Sequence, residues 1–265
     1  MNGKVKKIEF FAPEGLPLID AGTDLAEIIT RAFRLEDRDI VVICSTIVSK
    51  SEGRIRKLSD YIPSEEAVRL ASRIEKPPEF VQAVLEESSE VLIEAPFLLV
   101  KARFGNICIN AGIDESNIEK EYIILPPENP DRSAERIRRR LESLTGKTIG
   151  VIITDTNGRC FRKGVTGFAI GISRVKAMKN WIGDVDLYGN PLEVTVEAVA
   201  DEIAAMANLL MGEGADGLPV VIVRGLDLIG EGSMDEIYRS EEEDIIRQII
   251  KQNRNKNHQT KTGRN

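Results

Sequence analysis

Two patterns alternate along the chain: runs of apolar residues with no polar face, and stretches in which apolar side chains return every three or four positions. The runs "DIVVIC", "GVIIT" and "LPVVIVRG" predict buried strands, and "KKIEFFAPEG" predicts a strand entering a turn. Helical spacing marks "DLAEIITRAF", "PSEEAVRLASRIEK", "PPEFVQAVLEESSE", "DRSAERIRRRLESLTGK" and "EVTVEAVADEIAAMANLLM". Local chemistry supports several boundaries. Pro63 and Ser64 suit a helix start, Ser133 suits an N-cap and Gly146 suits a stop. Ser233 with Glu236, and Ser240 with Glu243, have capping-box spacing. The stretch "EVLIEAPFLLVKARFGNICINAGID" predicts two or three strands closing in a glycine turn. The expected organisation is one catalytic region over residues 1–252, divisible into two subdomains, followed by a polar, disordered tail over 253–265. No internal repeat is visible.

Composition narrows the function classes. The chain has 265 residues, 42% hydrophobic and 30% charged, which fits one large or two modest globular domains. No apolar stretch is long enough for a membrane span, and the start "MNGKVKKIEFFAPEG" lacks the apolar core of a signal peptide, so a cytoplasmic location is expected. A net charge of -7 with no segregated basic run argues against nucleic acid as partner. The three cysteines, Cys44, Cys108 and Cys160, show no metal spacing and are expected as reduced thiols. The sole histidine, His258, lies in the polar tail, which removes imidazole bases and His-built zinc sites. A bound metal would then be held by oxygens, which favours Mg²⁺ or Mn²⁺.

Two familiar patterns have the wrong polarity. "TGKT" (Thr145 to Thr148) ends like a phosphate-binding P-loop, but Leu141 replaces the required earlier glycine, and a helix leads into a strand instead of the reverse. "GEGADG" (Gly212 to Gly217) matches the dinucleotide fingerprint, yet it also follows a helix and precedes a strand. Its three glycines would still let backbone amides approach an anion.

Chemistry concentrates in three segments expected as loops at the ends of apolar runs: "CSTIVSKSEGR", "NAGIDESN" and "TDTNGRCFRKG". Taken singly, Asp114 and Asn117 can serve a turn, and Asp155 can hold a backbone amide. Taken together, Asp114, Asp155 and Glu213 are acids near glycines, each adjoining an apolar segment. Were they to meet, their repulsion would call for a cation. Lys50, Arg54, Arg159, Arg162 and Lys163 lie beside the same segments. They can hold phosphate or carboxylate, or form an ordinary solvated surface. The whole suggests metal-assisted nucleotide chemistry without fixing the reaction.

Longer motifs do suggest a reaction. "EGLPLI", "CSTIVSKSEGRIR", "FGNICINAGIDESN", "GVIITDTNGRCFRKGVTGFAIGISRVKAMKNWIG" and "ANLLMGEGADGLPVVIVRG" closely resemble the coenzyme F420-0:γ-glutamyl ligases, from about Ile8 to about Ile250. The resemblance implies a family-specific mixed α/β fold, with mixed sheets flanked by helices, in an intertwined homodimer. It implies a GTP-dependent ligase that couples F420-0 to L-glutamate and then adds a second glutamate through a γ-linkage to F420-1. It also implies two divalent ions, Mg²⁺ or Mn²⁺, with K⁺ assisting.

By the same resemblance the metal ligands are Asp114, Asp155, Thr156 and Glu213. The GTP contacts carry over to Leu16, Pro17, Leu18 and Ile19, to Ser45, Thr46, Lys50 and Asn117, and to the loop Met211, Gly212, Glu213, Gly214, Ala215, Asp216, Gly217 and Leu218. Lys50, Arg159 and Arg162 are the expected catalytic cations, clamping phosphate and substrate carboxylates. Some relatives carry a further C-terminal flavin-dependent domain; none is expected here, nor redox chemistry. The alternatives are another metal-dependent phosphohydrolase and a non-catalytic binder of nucleotide or deazaflavin.

Overall fold

The computed structural model describes residues 5–262, with side chains described through residue 253. Its strands are β1 (Glu9–Phe11), β2 (Ile40–Cys44), β3 (Ile55–Lys57), β4 (Ser88–Ile93), β5 (Leu99–Ala102), β6 (Ile107–Ile109), β7 (Tyr122–Ile124), β8 (Gly150–Arg159), β9 (Arg162–Ser173), β10 (Lys179–Asn180), β11 (Val196–Glu197) and β12 (Val220–Arg224). Its helices are α1 (Leu25–Ala32), α2 (Ser45–Ser51), α3 (Glu65–Ile74), α4 (Pro78–Glu86), α5 (Pro130–Thr145), α6 (Val199–Met211) and α7 (Ile245–Thr262). The fold is mixed α/β with mixed sheets, as expected. It divides into two compact units, one formed by the chain up to Ile55 with Pro126–Ile237, the other by Arg56–Leu125 with the chain from Tyr238. The polar tail expected over 253–265 lies, past Asn253, outside the described side chains, and residues 263–265 lie outside the described residues altogether.

The first unit is built on a five-stranded sheet in the order β1-β12-β2-β8-β9. Only β2 and β8 run parallel; the other three pairings are antiparallel. Val41, Val42, Ile43, Val151, Ile152, Ile153, Val220, Val221 and Ile222 are all fully buried. Consecutive buried residues on a strand require cover on both faces, which accounts for runs without alternation. Each such side chain contributes roughly 1.5–3 kcal/mol by leaving water. The helices that provide this cover include α5, packed on β8 and β9, and α6, packed on β9 and β12.

The strand β9 serves both helices because its pairing with β8 shifts by one residue: Ile153 faces Gly171 but Thr154 faces Ala169, leaving Ile170 as a bulge. A Cβ on Gly171 would strike Pro130 at the start of α5, and one on Gly167 would lie 2.5 Å from the Ala204 carbonyl oxygen of α6. In a regular strand, residues four apart share a face; the bulge puts these two glycines on opposite ones.

Helix α5 starts one turn earlier than the sequence suggests. Its N-cap is Asn129, whose Oδ1 accepts from the Arg132 N–H at 3.0 Å, with Pro130 next. Ser133 is instead inside the helix, where its hydroxyl donates to Glu52. Gly146 ends the helix in a left-handed conformation (φ 66), as expected. The helix expected over "EVTVEAVADEIAAMANLLM" begins only at Val199, with Val196–Glu197 paired as β11 to β10.

In the second unit α3, α4 and the antiparallel sheet β4-β5-β6 enclose Leu70, Phe80, Val84, Leu98 and Val100. "EVLIEAPFLLVKARFGNICI" forms three strands. Arg247 on α7 is buried and pairs with Glu90 and Glu241. The Ser233 and Glu236 capping box forms, whereas at the second expected box the Ser240 N–H donates to Glu243 at 3.1 Å in a turn before α7.

Candidate active site at one edge of the central sheet

Strand direction gathers four distant segments at one edge of the first unit. Because β2 and β8 are parallel, Cys44 at the end of β2 lies in register with Thr154. Because β12 is antiparallel to β2, it starts where β2 ends, and the Cys44 N–H donates to the Pro219 carbonyl at 2.9 Å. β1 is antiparallel to β12, with Phe11 opposite Ile222, so β1 also exits toward this edge. Leu16 to Ile19, Ser45 to Lys50, Asp155 with Thr156, and Met211 to Leu218 therefore all issue from one side of the sheet. Ligand sites favour such edges, where mobile segments are held by a rigid support.

At this edge β8 turns polar. Thr154 is buried and donates from Oγ1 to the Phe168 carbonyl at 3.0 Å. Asp155 is half-buried, and its Oδ1 accepts from the Thr156 N–H at 2.8 Å. Thr156, paired with Gly167, lies on the face covered by α6, and the loop after α6 brings Glu213 to it: Thr156 Oγ1 donates to Glu213 Oε2 at 3.4 Å. Gly212 makes this loop possible. Its φ of 68 and ψ of 179 belong to glycine alone, and a Cβ there would lie 2.6 Å from Asp216 Oδ2.

The donor set is two carboxylates and a hydroxyl, all hard oxygens. Adjacent ligands of an octahedral Mg²⁺ with bonds of about 2.0–2.1 Å stand roughly 3 Å apart, close to the Thr156–Glu213 separation. Thr156 and Glu213 therefore have the donor type and separation that a hard divalent cation uses, with Asp155 adjoining Thr156 in the chain. Among the described residues no group of three or more His, Cys, Asp or Glu side chains forms a metal cluster. Asp114 belongs to the second unit, where its backbone bridges Ile124 in both directions (3.0 and 2.9 Å), next in the chain to the buried Ile113. Its Oδ1 accepts from the Ser116 N–H at 2.7 Å, a turn contact, and Asn117 nearby is exposed with φ 52.

Two expected loops are regular structure. Ser45–Ser51 is the helix α2, which places Ser45 buried at its start and Lys50 in its last turn. "TDTNGRCFRKG" is the outer part of the β8–β9 hairpin, with Arg159 opposite Arg162 and a two-residue turn at Cys160 and Phe161. This arm stands clear of the core, so its residues are polar on both faces and the strand period is lost. Arg159, Arg162 and Lys163 are exposed there, and Phe161 is fully exposed at φ 65. Cys44 keeps some accessible surface, but burial of its sulfur pushes the thiol pKa up, with the negative charge of Asp155 adding to it. It is no nucleophile near neutral pH.

A second polar feature of this unit has no signal in the sequence: an open groove of about 550 Å³ between the start of α1, the end of α2 and one face of α5. Arg136 and Arg140 line it, and nothing in the helical spacing of α5 singles them out from the other arginines of that helix.

The fold is that of a mixed α/β protein whose central sheet ends in oxygen-bearing side chains and glycine loops. Comparison with known proteins makes this specific. The family described as F420-0:Gamma-glutamyl ligase matches residues 15–225. "Coenzyme F420:L-glutamate ligase" of Archaeoglobus fulgidus is 68% identical over 245 residues, covering 92% of this chain and 98% of its own. The proteins of the same name from Methanosarcina mazei and Methanocaldococcus jannaschii are 54% identical over 252 residues (94% and 99% covered) and 44% over 246 (91% and 98%). The chain belongs to the F420-0:γ-glutamyl ligase family and is a ligase. No helix among the described residues is long and apolar enough to cross a membrane.

Proposed function

We propose that this ligase uses GTP to couple coenzyme F420-0 to L-glutamate and then adds a second glutamate in γ-linkage. The observation that carries the reading is the Thr156–Glu213 contact at the edge where the four candidate nucleotide and metal segments emerge. The expected roles of Asp114 as metal ligand and Asn117 as nucleotide contact remain part of the proposal, as do K⁺, a cytoplasmic location and a homodimer. The exposed Phe161, Leu187, Tyr188 and Leu209 support self-association, because large apolar side chains so exposed favour a partner surface.

An amine does not displace oxide from a carboxylate, so the acid must first be activated. The F420-0 carboxylate oxygen attacks the γ-phosphorus of GTP and GDP departs, giving an acyl phosphate. The glutamate amine then attacks its carbonyl, and phosphate leaves with formation of the amide. Mg²⁺ or Mn²⁺, when bound, would offset the phosphate charge.

The chain's own residues supply the rest. Asp155, Thr156 and Glu213 present the cation-binding oxygens. The glycines at 212 and 217 let loop amides approach the phosphates, both having positive φ of 68. Lys50, at the end of α2, supplies a phosphate-directed cation, while Arg159 and Arg162 offer guanidinium forks for substrate carboxylates. With the only histidine in the tail and the Cys44 thiol held protonated, the amine proton passes to a carboxylate or a phosphate.

The test is incubation of the purified chain with GTP, Mn²⁺, L-glutamate and F420-0. GDP release that requires both acceptors, with products heavier by one and then two glutamyl units, supports the ligase. GDP release indifferent to the acceptors would instead mark a phosphohydrolase, and nucleotide binding without GDP a non-catalytic binder.

A further inference from the structure

The open groove of the first unit is lined by equal numbers of opposite charges: Arg54, Arg136 and Arg140 against Asp24, Glu52 and Glu128. Arg136 and Arg140 are held in place with donors to spare. Arg140 uses Nε for Asp24 at 2.8 Å, which leaves its two terminal nitrogens as a fork. Arg136 gives one terminal nitrogen to Glu52 at 2.6 Å, and Glu52 is in turn anchored by the Ser133 hydroxyl. Guanidinium groups positioned in advance lose less freedom when they capture a carboxylate. Glu128 is exposed, with no ion pair among the described residues.

A polyphosphate would be repelled by three carboxylates in such a lining. A zwitterion would not. The groove also starts beside the catalytic edge: Ser51 and Glu52 directly follow Lys50, and the seven residues of α2, about 10 Å in length, lead there from Cys44. Its volume of about 550 Å³ lies in the small-molecule range and exceeds the needs of one amino acid, leaving space on the open side for a second substrate.

We infer that this groove is the subsite for the amino-acid acceptor, an α-amino dicarboxylic acid whose carboxylates are taken by Arg136 and Arg140 and whose ammonium faces Glu128. The inference rests on the ligase reading and assigns it a second site, separate from the cation-binding oxygens.

Calorimetric titration of the purified chain with L-glutamate and with L-alanine tests it without turnover. L-Glutamate should bind at least ~10-fold tighter than L-alanine, and Arg140→Lys, which keeps the charge but loses the fork, should reduce that ratio. Glu128→Gln, an exposed change that leaves the melting temperature in place, should weaken both amino acids ~5- to 10-fold. In the ligation assay both variants should raise KM for L-glutamate and leave KM for GTP unchanged. L-Glutamate affinity unchanged in both variants, or a rise confined to KM for GTP, overturns the subsite. A wild-type chain that binds L-glutamate in this groove yet makes no amide would leave the subsite standing and sink the ligase reading.

Discussion

Thr156 Oγ1 donates to Glu213 Oε2 at 3.4 Å across 57 residues of sequence, joining the polar end of a buried strand to the loop that closes α6. Asp155, its neighbour in the chain, adds a half-buried carboxylate beside this contact. Asp155→Ala should therefore lower kcat for amide formation by at least ~100-fold while the circular dichroism spectrum and melting temperature stay close to wild type. Turnover retained within a few-fold would remove Asp155 from the site.

Gly212 occupies a conformation closed to other residues, and its missing Cβ clears Asp216. Gly212→Ala should cost about 1–3 kcal/mol locally, taken up by distortion of the loop instead of unfolding. KM for GTP is expected to rise ~10-fold or more with little change in melting temperature. A wild-type KM would show that the loop does not depend on this backbone shape.

Asp201, in the first turn of α6, accepts the Ala169 N–H at 3.0 Å, but burial outweighs that bond and raises its pKa. The raised folded pKa means the aspartate contributes most at low pH, and stability is lost as pH rises through that value. Asp201→Asn keeps an acceptor for Ala169 and has no charge to bury. The variant's melting temperature relative to wild type should climb from pH 4 to pH 8; a flat or falling difference would contradict the assignment.

Cysteine chemistry gives an independent check on the sheet edge. Cys160 is exposed on the hairpin turn, Cys108 is buried, and the Cys44 thiol is kept protonated by burial. With iodoacetamide at pH 7.5, peptide mass spectrometry should find Cys160 labelled at least ~10-fold faster than Cys44. Equal rates would mean that the end of β2 opens to solvent.

Much of this was legible in the sequence, and the limits have physical causes. The runs ending in Thr154 and beginning at Val220 announced buried strands because they lack any polar face, and Gly146 marked the end of α5 because left-handed backbone favours glycine. The start of α5 is ambiguous in the sequence, since Asn129 and Ser133 are both competent caps and only Pro130 distinguishes them. α2 was hidden because seven residues give too short a window for helical spacing. The hairpin arm was hidden because it has no buried face to impose alternation.

For the site, Asp155 and Glu213 could be singled out as acids beside glycines adjoining apolar runs. That Thr156 meets Glu213 depended on the parallel pairing of β2 with β8 and the reversed entry of β12, which a single sequence does not declare. The groove arginines were invisible for a similar reason: what distinguishes Arg136 from any other charged helical residue is the acid placed opposite by α2.

The unpaired Ile170 gives β9 an unusual grammar. Tolerance along a strand ordinarily alternates position by position, but here the alternation should restart at that residue, so that Gly171 beyond it meets α5 while Gly167 before it meets α6. Enlarging Gly171 would press on one neighbour and enlarging Gly167 on the other, so two positions four residues apart on one strand are each limited by a different helix, one of them the helix that delivers Glu213.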